Sequence, residues 1–327
     1  MIFSFNTFQK VRSPNKAFYF WLVVDIKYLM LGENKIMTNY VVTCCSTADL
    51  SEDIFTKRNI PYVPFTFTVN GKTYNDDYGK SYPIDKFYAD IKNGMQPMTS
   101  QVNVETYMEM FEPILKEGKD ILHLTLTSGI SGSINSANSA AALLNDKYDN
   151  KVHVVDSLCA SSGYGLLVTM VKDNQDAGMS LEDNLAWIEE NKRKIIHWFF
   201  SSDLSSYVRG GRISKAAGLI GGALQICPLM TVSDAGKLEI FEKIRTKKKA
   251  MKRLVEKMME EVGPDYDGYV YMCNSACYDD ACAMTEMIKE GFHNVKEVSI
   301  FNIGTVIGSH TGPGTIAVFF KGNKRAL

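Results

Sequence analysis

The sequence predicts an α/β protein built from two successive α/β units, and three observations carry that reading. Short apolar runs alternate with helical stretches from residue 40 to residue 320, the pattern of parallel strands joined by crossover helices. One junction is complete: the apolar run Ile121–Leu126 breaks into a Ser/Gly loop and then opens an Ala- and Ser-rich helix. No low-complexity linker separates the halves, so the two units are expected to pack closely and share a cleft.

The first unit opens with a strand at Tyr40–Thr43 and a turn over Cys45–Asp49. Ile60–Val69, with Pro61 and Pro64, reads as extended, and Asn70-Gly71 is a hairpin signal. A helix is expected over Ile84–Asn93, ended by Gly94, followed by a polar connector at Met98–Gln101 and a helix at Val104–Lys116. Ile121–Leu126 and Val152–Val155 are buried strands flanking the Ala-rich helix. The second unit begins near Leu158 with apolar helices at Ala160–Asp173 and Leu181–Asn191, then a strand at Ile195–Phe200. A Gly/Arg loop at 209–212 leads into a helix expected over Lys215–Ala223. Strands at Met230–Val232 and Leu238–Lys243 frame a hairpin turn at Asp234–Gly236. A charged helix spans Thr246–Glu261, its Lys-rich start reading as a solvated face. Strand, helix and strand lead to the closing segment 304–320.

A chain of 327 residues, 45% of them hydrophobic, can bury a substantial core. A net charge of −1 argues against a nucleic-acid binder that relies on a broad basic surface. Seven cysteines are an odd count with no small-domain disulfide pattern, which fits reduced thiols in the cytoplasm. Cys273, Cys277 and Cys282 make no CxxC pair and have no nearby His to complete a zinc set, so no metal is expected.

The 122–141 stretch carries the most chemistry. Ser128, Ser131 and Ser133 bring hydroxyls to a turn where Gly129 and Gly132 let a ligand approach the backbone, and free helix amides attract an anion. No Lys follows in the arrangement of a nucleotide P-loop. Such a loop suits a carboxylate or a small polar head group, although Ser/Gly turns also serve simply to reverse the chain. Four other segments stand out. Asp156-Ser157 ends a strand, where a carboxylate can cap a helix or hold a neighbouring loop. Arg209-Gly-Gly-Arg212-Ile-Ser214 sets two guanidiniums around a flexible turn. Ile226-Cys-Pro228 opens a strand, and Gly304–Gly314 puts His310 in a Gly-rich loop.

Together these segments resemble the DegV family of bacterial fatty-acid-binding proteins, from about Asn39 to Phe320. The family's D-S-T-x-D motif stands here as Cys45-Ser-Thr-Ala-Asp49, its T-S-Q-P as Thr99-Ser-Gln-Val102, and its S-x-L-S-G-T loop as Ser128-Gly-Ile-Ser-Gly-Ser133. Its V-D-S is Val155-Asp-Ser157, its G-G-R-I-S is Gly210–Ser214, and its H-x-G-P-G is His310–Gly314. The resemblance implies an N-terminal domain (38–157) with a helix-flanked parallel sheet and a C-terminal domain (158–327) with a mixed sheet. One long-chain fatty acid, such as palmitate or oleate, would lie in a tunnel between them. Its carboxylate would meet Thr99 and Ser131 with His310 beside it, supported by Ser100, Ser128 and Gly132. The chain would bind lipid, without catalysis or a cofactor of its own, for lipid transport or fatty acid metabolism. A separate ATP-dependent fatty acid kinase would phosphorylate the carboxylate, with Arg209, Arg212 and Arg245 docking that partner or steadying phosphate; Arg212 serves equally as a helix cap or an acid's partner. The 16 methionines would help line the tunnel or belong to ordinary core.

Four positions depart from the family pattern. Cys45 replaces an Asp, removing a hydrogen-bond anchor near the first turn, and Cys227 replaces a common Lys, removing a charge near the cleft. Val102 stands for Pro and Ser133 for Thr. Two enzyme readings compete: a small-ketone site like that of dihydroxyacetone kinase subunits, with His310 forming the adduct, or a hydrolase with Asp156 as third triad member. No G-x-S-x-G elbow supports the latter. Residues 1–37 are read as an extension outside the domains. Lys10, Arg12 and Lys16 precede an apolar run, Ala17–Val24, too short to span a bilayer, so no stable membrane insertion is expected. Gly32-Glu33 can be encoded by a ribosome-binding sequence, which would place the start of translation at Met37.

Overall fold

Apolar runs in the first half form a parallel sheet, and those in the second half form a mixed sheet whose central strands are buried on both faces. The computed structural model describes residues 39–214 and 226–327. The N-terminal extension with its proposed start at Met37, and the helix expected at Lys215–Ala223, lie outside the described residues.

Strands β1 (Tyr40–Cys45), β2 (Tyr62–Val63), β6 (Asp120–Thr125) and β7 (Val152–Asp156) make a parallel sheet in the order β2-β1-β6-β7. Helix α1 (Glu52–Arg58), which has no counterpart in the sequence reading, joins β1 to β2; seven residues are too few to show a clear period. The Asn70-Gly71 turn joins β3 (Thr66–Val69) to β4 (Lys72–Asn75) as expected. Met98–Gln101 is not a connector: Met98–Ser100 is strand β5, paired antiparallel to β3 in a small sheet of order β4-β3-β5. Helices α2 (Ile84–Lys92) and α3 (Val104–Lys116) match their expected bounds to within a residue, and the Ala- and Ser-rich helix is α4 (Ser133–Asn145).

The second sheet has the order β10-β9-β8-β13-β11-β12, with strands β8 (Ile195–Ser201), β9 (Ile226–Val232), β10 (Leu238–Arg245), β11 (Tyr269–Asn274), β12 (Glu297–Asn302) and β13 (Thr315–Lys321). Only β11 and β12 run parallel; the other neighbours are antiparallel. Period-2 geometry sends alternate residues to opposite faces. Ile196, Trp198, Phe200, Ile316, Val318 and Phe320 therefore enter one core, against helices α8 (Lys247–Val262) and α9 (Tyr278–Gly291). His197, Phe199, Ala317 and Phe319 face the opposite way, and Ala317 pairs with Phe199 as Phe319 does with His197. A second, larger core runs from Tyr40 to Phe319 across residues of both sheets.

Helix α5 (Ser161–Asp176) is buried along most of its length, and α6 (Leu181–Asn191) packs against it. The Tyr164 hydroxyl donates to the Leu124 carbonyl and accepts from the Cys45 amide, tying α5 to β6 and β1. The expected Gly/Arg loop begins inside a short helix, α7 (Ser205–Arg209). His310 is likewise not in a loop but in the last turn of α10 (Thr305–Thr311). Its glycines mislead a local reading, because tertiary contacts rather than propensity hold this helix.

Candidate functional site

Strand β5 and helix α10 meet at a single contact of functional character. The Thr99 hydroxyl lies 2.8 Å from His310 Nε2, across 211 residues of sequence. Burial holds the His310 pKa down to about 4, with Arg212 and Arg209 adding repulsion, so the imidazole is neutral at ordinary pH. Its Nδ1 is buried without a partner and faces Gly210, where a Cβ would come within 2.2 Å of that nitrogen. Only glycine fits there. In the tautomer with the proton on Nε2, His310 donates to Thr99 and leaves the threonine proton free for an anion.

The position of His310 is set at the other end of α10. Asp49 Oδ1 accepts from the Gly304 amide at 3.0 Å, and Asp76 Oδ1 accepts from the Thr305 amide at 2.9 Å and its hydroxyl at 2.8 Å. Ser161 donates to the second oxygen of Asp49, and Ser46 to that of Asp76 at 2.9 Å. Both carboxylates are buried, and a Cβ at Gly304 would sit 2.7 Å from Asp49 Oδ1. Burial raises both pKa values, and for Asp49 the neighbouring Asp76 raises it further.

The 128–132 loop reaches the same cavity through Ile130 and Ser131. The Ser131 hydroxyl accepts from the Ser133 amide at 3.2 Å, which leaves its own proton available to donate. Asp156 Oδ1 accepts from the amides of Ser128 and Leu158 at 3.1 and 3.0 Å, so this carboxylate holds the loop. It is no partner of His310, and the hydrolase relay is not assembled. Arg212 Nε donates to the Ile130 carbonyl at 3.1 Å, and Arg209 Nη2 to the Ser206 hydroxyl at 2.9 Å.

Thr99, Ser131 and His310 open on one cavity of about 620 Å³. Much of its remaining wall is apolar: Phe199, Phe319, Val232, Leu238, Ile303 and Ile307. A carboxylate-sized cluster of donors beside a long apolar wall can hold a molecule with an acidic head and a hydrocarbon body. A small polar ketone would leave that wall wet.

A family model described as "Uncharacterised protein, DegV family" matches residues 40–323. The chain belongs to the DegV family. A DegV domain-containing protein of Clostridium perfringens is 37% identical over 290 residues, covering 88% of this chain and 99% of that one. The solved structure described as fatty acid binding of a DegV family protein from Thermus thermophilus matches with a TM-score of 0.77 at 28% identity, covering 86% of this chain and 99% of that one. A DegV lipid-binding protein of Thermotoga maritima matches with a TM-score of 0.77 at 27% identity, covering 88% of this chain and all of the other. No helix among the described residues is long and apolar enough to cross a membrane.

Against the DegV pattern, the expected head-group residues fall into two sets. Thr99, Ser131 and His310 share the cavity, with Ser100, Arg209 and Arg212 also on its wall. Ser128 and Gly132 line a second, more polar pocket adjoining the first, with Ser131 and Arg212 on both walls. Ser133 faces the core instead, its hydroxyl 2.8 Å from that of Tyr107. Arg245 lies on neither wall. It ends β10 roughly 23 Å along the strand from Leu238. Among the described residues Met98 is the only methionine on the cavity wall.

Both cysteine departures need correction. Cys45 is not without an anchor: its Sγ sits 3.5 Å from the Tyr107 hydroxyl and 3.7 Å from His123 Nε2. Burial pushes this thiol up to about 11 and His123 down to about 3, so the cluster is neutral. Cys227 packs in the helix-side core and is not on the cavity wall, so the charge that a lysine would bring there is not one that the cavity loses. Sequence reasoning also missed Asp76 and His197. His197 Nε2 accepts from the Ala160 amide at 3.1 Å, and the one available signal was a polar residue inside the apolar run Ile195–Phe200.

Proposed function

We propose that this DegV chain binds one long-chain fatty acid, of the palmitate or oleate class, in the cavity described above. Thr99 and Ser131 donate to the carboxylate, His310 orients Thr99 from behind, and the hydrocarbon lies along Phe199, Phe319 and Val232. The observation that carries the reading is the Thr99–His310 pair and Ser131 on the same cavity as that apolar wall. The fatty acid binding and lipid binding described for the two solved relatives support it.

The energetics agree. Fourteen methylenes at about 0.8 kcal/mol each give roughly 11 kcal/mol, against an immobilisation cost of several kcal/mol. Charge-assisted hydrogen bonds at about 1.5–3 kcal/mol apiece offset removal of the carboxylate from water. Binding thus needs no metal or cofactor. The chain acts as a carrier of two α/β domains, 38–157 and 158–327, with the tunnel between them. It presents the carboxylate to a separate kinase, with Arg209 and Arg212 flanking the reacting oxygen; the chain itself performs no chemistry.

Native mass spectrometry of the purified protein, followed by denaturing extraction, tests the reading. A fatty acid at near-stoichiometric level is expected. The Thr99→Ala/Ser131→Ala double variant should retain at least tenfold less added oleate. An empty protein that takes up neither palmitate nor oleate would overturn the proposal, and unchanged retention in the double variant would overturn the head-group assignment.

A further inference from the structure

Residues 243–253, Lys-Ile-Arg-Thr-Lys-Lys-Lys-Ala-Met-Lys-Arg, contain seven cations and no acid in a chain whose net charge is −1. They turn the corner from β10, the edge strand of the mixed sheet, into the first two turns of α8. Lys243, Arg245, Lys247, Lys248, Lys249 and Lys252 are exposed. Neighbouring acids take up only some of this charge. Lys247 pairs with Asp280, Lys252 lies 3.7 Å from Glu256, and Arg253 pairs with Glu242 and Glu260. Lys243, Arg245, Lys248 and Lys249 have no acidic partner among the described residues.

Local stability does not account for the arrangement. Cations in the first turn of a helix oppose its dipole, no acid stands in that turn, and Thr246 makes no capping bond. The unpaired side chains are mostly lysines, compact charges on flexible stems. They suit diffuse negative charge better than the forked geometry of a particular carboxylate pair.

We propose that this corner is an electrostatic docking face for an anionic lipid bilayer. The inference rests on the fatty-acid reading, because a carrier of that cargo loads or delivers at the phase into which the cargo partitions. Four to eight juxtaposed Lys or Arg are what an anionic bilayer surface attracts, each adding roughly fivefold to affinity. The docking face is separate from the cavity, which β10 reaches only at its opposite end, at Leu238.

Vesicle flotation tests the proposal, with the full chain, phosphatidylglycerol/phosphatidylcholine vesicles and pure phosphatidylcholine vesicles, at about 50 and about 300 mM salt. The protein should float with the anionic vesicles at low salt, be released at high salt, and ignore the neutral ones. Lys243→Gln/Lys248→Gln/Lys249→Gln should weaken flotation on the order of 100-fold while retaining its extractable fatty acid. Equal flotation of the variant, equal binding to neutral vesicles, or no flotation at low salt would each overturn the docking face; the last does so even if the same lysines hold the protein on an acidic polypeptide. Charge-dependent flotation of a protein that carries no fatty acid would sustain the surface and sink the cargo reading instead.

Discussion

At the scale of the residue, the site turns on the protonation of His310. Burial and two flanking guanidiniums keep its imidazole neutral down to about pH 4, below the ordinary value near 6.5. The folded state thus binds fewer protons than the unfolded one between those values. Its contribution to stability is present above pH 6.5 and declines as the pH falls toward 4. A carboxylate seated at Thr99 would act in the opposite sense, raising the pKa. Titration by NMR of the ligand-free protein should show a neutral His310 at pH 6 with a midpoint near 4, moving upward on loading with oleate. A midpoint unmoved by oleate would place the carboxylate elsewhere. Thr99, Ser131 and His310 were legible in the sequence because short motifs carry them. Asp76 was not, since nothing local distinguishes it from Asp77 beside it; only the fold aims it at Thr305.

At the scale of the element, α10 shows how a weak helix is made precise. Seven residues cannot hold a helix alone in water, yet its first amides are met by two buried carboxylates from elsewhere in the chain. Asp76→Ala would strand the Thr305 amide and hydroxyl, and a loss of about 2–4 kcal/mol is expected by denaturant unfolding. Hydrogen exchange should rise across 305–311 while β8 and β13 stay protected; uniform exchange would mean that the clamp is not local. The clamp also has a pH signature. Asp49 and Asp76 have folded pKa values above their unfolded ones, so their stabilising share is complete below about pH 3.9 and declines as the pH rises through the raised values. Asp49→Asn should therefore gain stability relative to the parent as pH climbs from 4 to 7, and a constant difference would show that Asp49 does not titrate in that range. The same pairing logic explains β5. Three residues have no period to read, and the strand exists only because Thr66–Thr68 lie beside it.

At the scale of the whole molecule, the mixed sheet divides its work by face. The apolar runs that announced β8 and β13 showed burial on both sides, but not which side would hold a hole, because a cavity is an absence shared among distant segments. Alternation then assigns the roles: Trp198 and Val318 fill the helix-side core, while Phe199 and Ala317, paired across β8 and β13, face the cavity. Substitutions one residue apart should separate stability from cargo. Val318→Ala removes two methyls from a packed core and should lower stability by about 1–3 kcal/mol without changing which acyl chain is extracted. Ala317→Leu adds three carbons to a wall with open space before it. It should leave stability nearly unchanged and shift the extracted fatty acids toward chains about two to three carbons shorter. Mass spectrometry of the bound lipids, alongside denaturant unfolding, reads both quantities. If Val318→Ala changed the acyl profile and Ala317→Leu did not, the hydrocarbon would lie on the other side of the sheet.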